Sequence, residues 1–487
     1  MATHDYVIDN STGANVRADI NNALSAIATS NSNSSAPTTT YASQFFADTS
    51  ASIMKLRNTA NNAYVNLFTL AGGPSFSANG TINGVNIGKG TNSASGNTAL
   101  GENALDAAVT GVDNTAIGSL ALTSHTSGQY SVAVGRKALE DNTTGSENTA
   151  VGAFSLRDNI SGSGNTALGA SALDANTTAS NNTAIGKSAL AVNTTGTNNV
   201  AVGAFTLDAN TTGNSNLGVG TSALSANTTG IDLVAIGHSA LALNTTANNN
   251  IAVGKDALNQ NTTGHSNIAV GKQALRVNTT ADNNTALGSF TLYDNTTGAS
   301  NVAVGRSALE NNTTANNNTA VGMNAMIANT TGADNTAVGA FALDANTTAS
   351  NNTAVGIQAL TTNTTGAENT AVGHDALADN TTASSNTAVG FSSLANNTTG
   401  QLNTAVGHRS MIVNTTGGFN TAFGAESLEA NTSGVNNVAV GWRSQHNTTT
   451  GQQNTSVGTS CLAQNTTAYN NTAIGYLALN QNTTGHS

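Results

Sequence analysis

Few side chains in this sequence could take part in chemistry, and their spacing forms no recognisable catalytic site. Glycoside cleavage needs two carboxylates placed across a sugar, yet acidic residues such as Glu368 and Asp375 are scattered over variable positions. Metal sites need regularly spaced ligands, and we interpret the histidines as single surface residues, among them His125, His238, His265 and His374. We therefore predict that the protein is not an enzyme and uses neither a metal nor a cofactor.

Cys461 is the only cysteine, which excludes disulfides within the chain. It precedes Leu462 and has no partnered base in evident reach, so we interpret it as a small core residue. The net charge of −11 is spread over 487 residues without a basic patch, so nucleic acid is not an expected partner. No apolar run approaches the length of a membrane-spanning helix, and residues 1–6 do not resemble a signal peptide.

The residues are organised by a 17-residue repeat that runs from Asn97 to Ser487 as N-T-A-V-G-x-x-A-L-x-x-N-T-T-G-x-N, in 23 copies without insertion or deletion. Positions in a coil are counted below from that first Asn. The fifth position is Gly in every copy. A Gly at a fixed place indicates a positive φ or a close backbone approach, so we assign a structural role to this column, including Gly101, Gly118, Gly135, Gly152, Gly339 and Gly475.

The repeat predicts a mostly β protein, a parallel β-solenoid in which each coil is one rung. Thr, Val and Ile favour strands, whereas Gly and Asn favour the corners between them. No proline interrupts the repeat, because Pro37 and Pro74 both precede it. The aliphatic fourth position and Leu at the ninth are expected to stack as core columns, and the Asn columns to form amide ladders.

Positions two to five carry no charge in any copy, as in Thr336 to Gly339. Alternation along a strand sends Thr and Val to one face and Ala and Gly to the other. Both faces therefore avoid charge, and a strand buried on both faces needs a second covering layer. We predict that the small Ala/Gly face packs against other chains in a homotrimer; the alternative is a monomeric solenoid.

Variation is concentrated at the sixth, seventh and tenth positions, which hold every Lys and Arg of the repeat. One interpretation is a receptor-facing stripe for a host glycan or protein; the other is a solvated corner that tolerates any residue. The candidate stripe consists of Phe154, Phe205, Phe290, Phe341, Phe391, Trp442 and Tyr476.

The N-terminal region does not repeat. We divide the chain into an α+β attachment module at residues 1–75, a degenerate capping coil at 76–96 and the solenoid shaft at 97–487. A helix is predicted around Val16 to Ile27, and a small β-meander over Gln44 to Phe46, Ile53 to Arg57 and Ala63 to Leu70. A short strand is also expected at Tyr6 to Ile8.

Two resemblances add to these patterns. The segments Y-V-I-D-N, A-D-I-N-N-A-L and M-K-L-R-N-T-A-N-N-A-Y-V, within residues 6–65, resemble the N-terminal region of tail-fibre proteins of bacteriophages of marine and cyanobacterial hosts. The repeat N-T-A-V-G-x-x-A is similar to the S-V-A-I-G-x-x-S repeat of trimeric autotransporter adhesin heads, which are trimeric left-handed β-rolls. Those repeats are usually shorter than 17 residues.

The fibre resemblance implies an N-terminal part that docks on a tail or baseplate protein and a trimeric shaft that reaches toward a host-cell glycan or protein. It also implies synthesis in a host cytoplasm without a signal peptide and assembly into a virion. A bacterial surface adhesin and a monomeric ice-binding or scaffold solenoid stay as alternatives. Adjacent Thr residues such as Thr347 and Thr348 should face opposite ways, which argues against an ice-binding array.

Overall fold

The chain folds into two compact units in a computed structural model, Met1–Thr144 and Gly145–Ser487. The structure describes residues 17, 18, 20, 21, 45–51, 53–57, 59, 60, 62–69, 80–82, 85–483 and 485. Within them no helix is long and apolar enough to span a lipid bilayer.

The strands of the first unit are β1 Phe45–Asp48, β2 Ile53–Arg57, β3 Tyr64–Thr69, β4 Gly80–Ile82, β5 Val85–Gly88, β6 Thr98–Gly101, β7 Thr115–Ile117 and β8 Val132–Val134. The strands of the second unit are β9 Thr149–Val151, β10 Thr166–Leu168, β11 Thr183–Ile185, β12 Val200–Val202, β13 Leu217–Val219, β14 Val234–Ile236, β15 Ile251–Val253, β16 Ile268–Val270, β17 Thr285–Leu287, β18 Val302–Val304, β19 Thr319–Val321, β20 Thr336–Val338, β21 Thr353–Val355, β22 Thr370–Val372, β23 Thr387–Val389, β24 Thr404–Val406, β25 Thr421–Phe423, β26 Val438–Val440, β27 Thr455–Val457 and β28 Thr472–Ile474.

In the first unit, β1, β2 and β3 form an antiparallel sheet in chain order, at the place where the meander is predicted. Strands β4 and β5 form a hairpin, and β5 pairs antiparallel with β6, the first strand of the repeat. The predicted degenerate coil is therefore a hairpin rather than an additional rung. The predicted strand at residues 6–8 lies outside the described residues, as does most of the predicted helix.

The repeat strands pair in parallel with a register of one coil. In the second unit each strand from β9 to β28 bonds to the next with equivalent positions opposite each other, as in Thr336 with Thr353 and Val338 with Val355. Strands β6, β7 and β8 pair in the same way in the first unit. The predicted parallel β-solenoid with a 17-residue period is confirmed.

The interior of the coil is filled by small and medium side chains. Ala337 at the third position, Ala342 at the eighth and Leu343 at the ninth are fully buried, and their equivalents form columns along the solenoid. In contrast, Thr336 and Val338, at the second and fourth positions, lie on the outside, where Val338 is 37% exposed.

The prediction that aliphatic residues of the fourth position fill the core is therefore wrong, and so is the prediction that the Ala/Gly face packs against other chains. The physical reason is the narrowness of the coil. Leu at the ninth position already occupies the interior, and only a small residue, nearly always Ala, leaves room for it at the third position of the strand.

The corners depend on left-handed backbone. The Gly column has φ between +125° and +152°, including Gly101, Gly118, Gly135, Gly152, Gly339 and Gly475. A Cβ on Gly254 would also lie 2.5 Å from the carbonyl oxygen of Gly271 in the next coil, so both reasons for Gly are present. Positions seven, nine and seventeen are left-handed as well, and position seventeen is accordingly often Asn or Asp.

Candidate interaction surface

Two buried asparagine ladders fix the corner of the coil that leads into the next strand. Asn335, at the first position, accepts a hydrogen bond from Asn352 N–H in the next coil (2.9 Å) and donates to the Ala349 carbonyl (2.9 Å). Asn346, at the twelfth position, donates to Asn329 Oδ1 (2.8 Å) and to the same Ala349 carbonyl (3.1 Å). Each amide is fully buried, so the Asn of every N-T-T triplet at this position has a structural function.

His125 replaces the twelfth-position Asn in its coil and makes the same contacts. Its Nε2 lies 2.7 Å from the Gly128 carbonyl, and its Nδ1 lies 2.9 Å from Asn142 Nδ2. The interpretation of His125 as a surface residue is therefore wrong, since its side chain is fully buried. Burial lowers the pKa of His125, which keeps the ring neutral and able to accept from Asn142.

The predicted receptor-facing stripe separates into two columns. Phe154, Phe205, Phe290 and Phe341 are at the seventh position, where the backbone is left-handed. Phe391, Trp442 and Tyr476 are at the sixth position and are more exposed, at 50%, 50% and 75%. The sixth and seventh positions follow the Gly corner, so both columns lie at the same edge of the solenoid.

Cations cover several rings of the seventh-position column. The Lys187 ammonium lies 5.5 Å from the Phe205 ring centroid, and Lys272 lies 5.3 Å from Phe290, in each case from the preceding coil. The Arg157 guanidinium lies 5.9 Å from Phe154 in the same coil. Each of these cation–π contacts covers one face of its ring.

The sixth-position column holds a ladder of three stacked rings. Phe391 lies between His374 and His408 of the adjacent coils, with centroid distances of 5.5 Å and interplanar angles of 16° and 13°. The coil spacing of about 4.8 Å brings these rings into stacking range. Each of the three side chains is exposed.

A compact group of charged side chains lies near Trp442. Glu429 contacts Arg409 (2.9 Å) and His446 (3.0 Å), and Arg443 contacts Glu426 (3.3 Å) and His446 Nε2 (2.8 Å). The acidic residues are therefore not all scattered, because Glu426 and Glu429 lie three residues apart in one coil, at the seventh and tenth positions. Stacking adds Arg409 from the preceding coil and Arg443 and His446 from the following coil. One ligand atom each of Glu426, Glu429 and His446 lies within 4.8 Å of the others.

This charged group favours an ion-pair network over a metal site. Both arginines lie on the carboxylates that a cation would need, so the two glutamates are already neutralised. His446 accepts from Arg443 at Nε2 and donates to Glu429 at Nδ1, which leaves neither nitrogen available for a metal.

Aspartates at the tenth position form a second set of perturbed groups. Burial raises the pKa of Asp174, Asp208 and Asp344. Asp344 accepts a hydrogen bond from the Thr361 hydroxyl (2.6 Å), whereas Asp208 Oδ1 is buried without a partner. Cys461 is fully buried, and burial raises the pKa of its thiol, which disfavours the reactive thiolate.

The stacked rings and the charged group were not identified from the sequence, although the repeat contains the necessary signal. His374, Phe391 and His408 share one position in three successive coils, and so do Arg409, Glu426 and Arg443.

No protein-family model matches the chain, and no curated protein or solved structure is significantly similar to it.

Proposed function

We propose that this chain is a structural bacteriophage tail-fibre protein whose shaft is a homotrimer of β-solenoids. The N-terminal part docks on a tail or baseplate protein, and the shaft extends toward the host surface for adsorption. The observation that carries this proposal is the uncharged, outward-facing strand face that recurs in every coil. The resemblance of residues 6–65 to phage tail fibres favours a fibre over other solenoids.

The outward face consists of the second and fourth positions, mainly Thr and Val. Its fourth-position residues include Leu168, Val270, Leu287 and Val338, each between 37% and 47% exposed. No copy has a charged residue at either position. A long uncharged face with an apolar column of this kind is uncommon on a monomer and is typical of an interaction surface.

The binding partners that fit this face are two further copies of the same chain. The twenty strands β9 to β28 stack over about 95 Å, and three residues of strand span about 10 Å, giving a face of about 950 Å². Shared between two neighbours, this face contributes about 475 Å² to each interface, so each pair of chains buries about 950 Å², close to the lower limit of about 1,000 Å² for a specific interface. Three such faces can meet around one axis, where the uniform repeat keeps their side chains in phase. The interface therefore lies on the Thr/Val face rather than on the Ala/Gly face.

The ice-binding alternative is disfavoured by the Thr geometry. The hydroxyl of Thr330, at the thirteenth position, donates to the Thr347 carbonyl of the next coil (3.0 Å). Only the fourteenth-position Thr, such as Thr348, presents an exposed side chain of this pair. One column of Thr does not make the flat two-column array that an ice lattice requires.

Light scattering on the purified full chain tests the assembly, and immunogold labelling of virions tests the location. We expect three times the chain mass of 48.4 kDa and labelled fibres on the tail. A monomer would exclude the shared Thr/Val interface. If the chain is a trimer but is absent from virions, the proposed interface stands and the proposed tail-fibre function is wrong.

A further inference from the structure

The sixth-position column changes character along the repeat. Its N-terminal members include five of the chain's cations, Arg136, Lys187, Lys255, Lys272 and Arg306. From residue 369 onward five of its seven members are rings, namely His374, Phe391, His408, Trp442 and Tyr476, whereas His238 is the only ring of this column before that residue. A corner that merely tolerates any residue would mix the two classes along its whole length, so the separation favours a binding function for the aromatic segment.

The coil at 437–453 is altered both inside and outside. Gln445 replaces the ninth-position Leu, is fully buried, and donates to the Val438 carbonyl and to Ser456 Oγ, both at 2.9 Å. Its Oε1 has no partner, and neither does the Oγ1 of Thr448, which replaces the ladder Asn. The same coil has the only Trp of the chain. Residues at a functional site often depart from the rules that stabilise the fold, so a coil with a weakened core is a candidate position for a binding site.

Trp442 is positioned to receive a flat ligand. Its indole is 50% exposed, and its neighbours in the sixth-position column are the small residues Ala425 and Thr459. Phe391, in contrast, is covered on both faces by His374 and His408. The Arg443 guanidinium, 5.6 Å from the Trp442 centroid, connects the ring to the charged group.

We propose that the aromatic segment of the sixth-position column binds a saccharide chain, with Trp442 as its main stacking platform. This inference rests on the proposed function and identifies the class of surface molecule that the shaft contacts. A sugar ring has an apolar C–H face that packs on the electron-rich face of an indole. Its hydroxyls can bond to the Arg443 and Glu426 side chains beside the platform, and the stacked ladder around Phe391 lies about 14 Å away, three coils along.

The charge of the site favours a saccharide over an anionic polymer. Arg409 and Arg443 are paired with Glu429 and Glu426, so the charged group attracts neither phosphates nor cations strongly. Paired guanidinium and carboxylate groups instead offer donors and acceptors side by side, which suits vicinal hydroxyls.

Because Trp442 is the only tryptophan, its fluorescence reports on this site alone. We would titrate the full chain with cellohexaose, maltohexaose, chitohexaose and mannohexaose, and follow the Trp442 emission. At least one of them is expected to produce a saturable change. Phe391→Ala should weaken that binding roughly three- to tenfold, because it breaks the exposed ladder of His374, Phe391 and His408 on which a longer saccharide would rest. Trp442→Ala should abolish the binding in calorimetry.

Phe205→Ala is the matched control, since it removes a ring of the seventh-position column and should leave the affinity unchanged. Circular dichroism verifies that each variant keeps its β structure. If none of the four hexasaccharides changes the emission, or if Phe391→Ala and Phe205→Ala behave alike, the saccharide assignment is wrong. Because the titration needs no virion, saccharide binding by a chain that is absent from virions would reject the fibre and retain this site.

Discussion

The tenth-position aspartates show how a single residue responds to its place in the coil. Asp208 follows the buried Leu207, and its Oδ1 is buried without a hydrogen-bond partner. Burial raises the pKa of this carboxyl above its usual 3.8 because water can no longer solvate the anion. The folded protein therefore binds this proton more readily than the unfolded chain, and the charged form of Asp208 destabilises the fold at neutral pH.

We expect Asp208→Asn to increase stability at pH 7, since the neutral amide avoids the cost of a buried charge. The gain should shrink as the pH falls through the raised pKa and disappear below the ordinary value of 3.8, where wild-type Asp208 is neutral in both states. Urea unfolding at pH 7 and pH 3 measures the difference. Asp232→Asn, at an exposed left-handed position that Asn tolerates, is the control. An equal effect at both pH values would contradict the burial argument.

At the scale of one element, the turn after each strand depends on the fifth-position Gly. We expect Gly254→Ala to destabilise the solenoid by about 2–4 kcal/mol, because it forces Ala to φ +135° and places its Cβ against the Gly271 carbonyl. Thermal unfolding followed by circular dichroism provides the measurement.

The control is the same replacement at the fifteenth position of that coil, Gly264→Ala. A Cβ on Gly264 would also press on the Ala281 carbonyl and Asn261 Oδ1, but φ at Gly264 is not left-handed. The next coil already has a buried Ala281 at this position, so this change should cost less. Equal losses for the two variants would mean that the fifth-position Gly has no special conformational requirement.

The strand and its corner were largely predictable, because a column that is always Gly or nearly always Asn has few physical interpretations. Alternation also identified two uncharged faces, but it did not indicate which one is inside. That choice depends on the width of the coil, which is set by corners where Leu343 and Phe341 adopt left-handed backbone. Residues with Cβ rarely do so, and no local pattern predicts it. The charged group around Glu426 and Glu429 was missed for a different reason, since its Arg409, Arg443 and His446 come from the adjacent coils and only stacking brings them to the two glutamates.

For the whole molecule, the central issue is what covers the Thr/Val face. We expect the triple variant Val304→Glu, Val338→Glu, Val372→Glu to convert the proposed trimer into a folded monomer. Each substitution would place three like charges around a desolvated axis, whereas in a single chain these outward side chains face water. Light scattering measures the oligomeric state, and circular dichroism measures whether the chain stays folded.

The matched control places the same charges in the same three coils, at the exposed fourteenth position, as Thr314→Glu, Thr348→Glu, Thr382→Glu. This variant should keep its trimer mass. Dissociation of both variants would indicate a nonspecific charge effect, and dissociation of neither would place the interface elsewhere.

The register of exactly one coil between bonded strands has an evolutionary consequence. Coils of the second unit that keep the consensus residues could bond to one another, since equivalent positions meet in each strand pair and their connecting corners are alike. Recombination between near-identical gene segments can therefore delete or duplicate 17 codons and leave both new neighbours correctly paired. Each such event would change the length of the solenoid by about 4.8 Å per coil. Natural selection could therefore adjust this length without a new type of connection between coils.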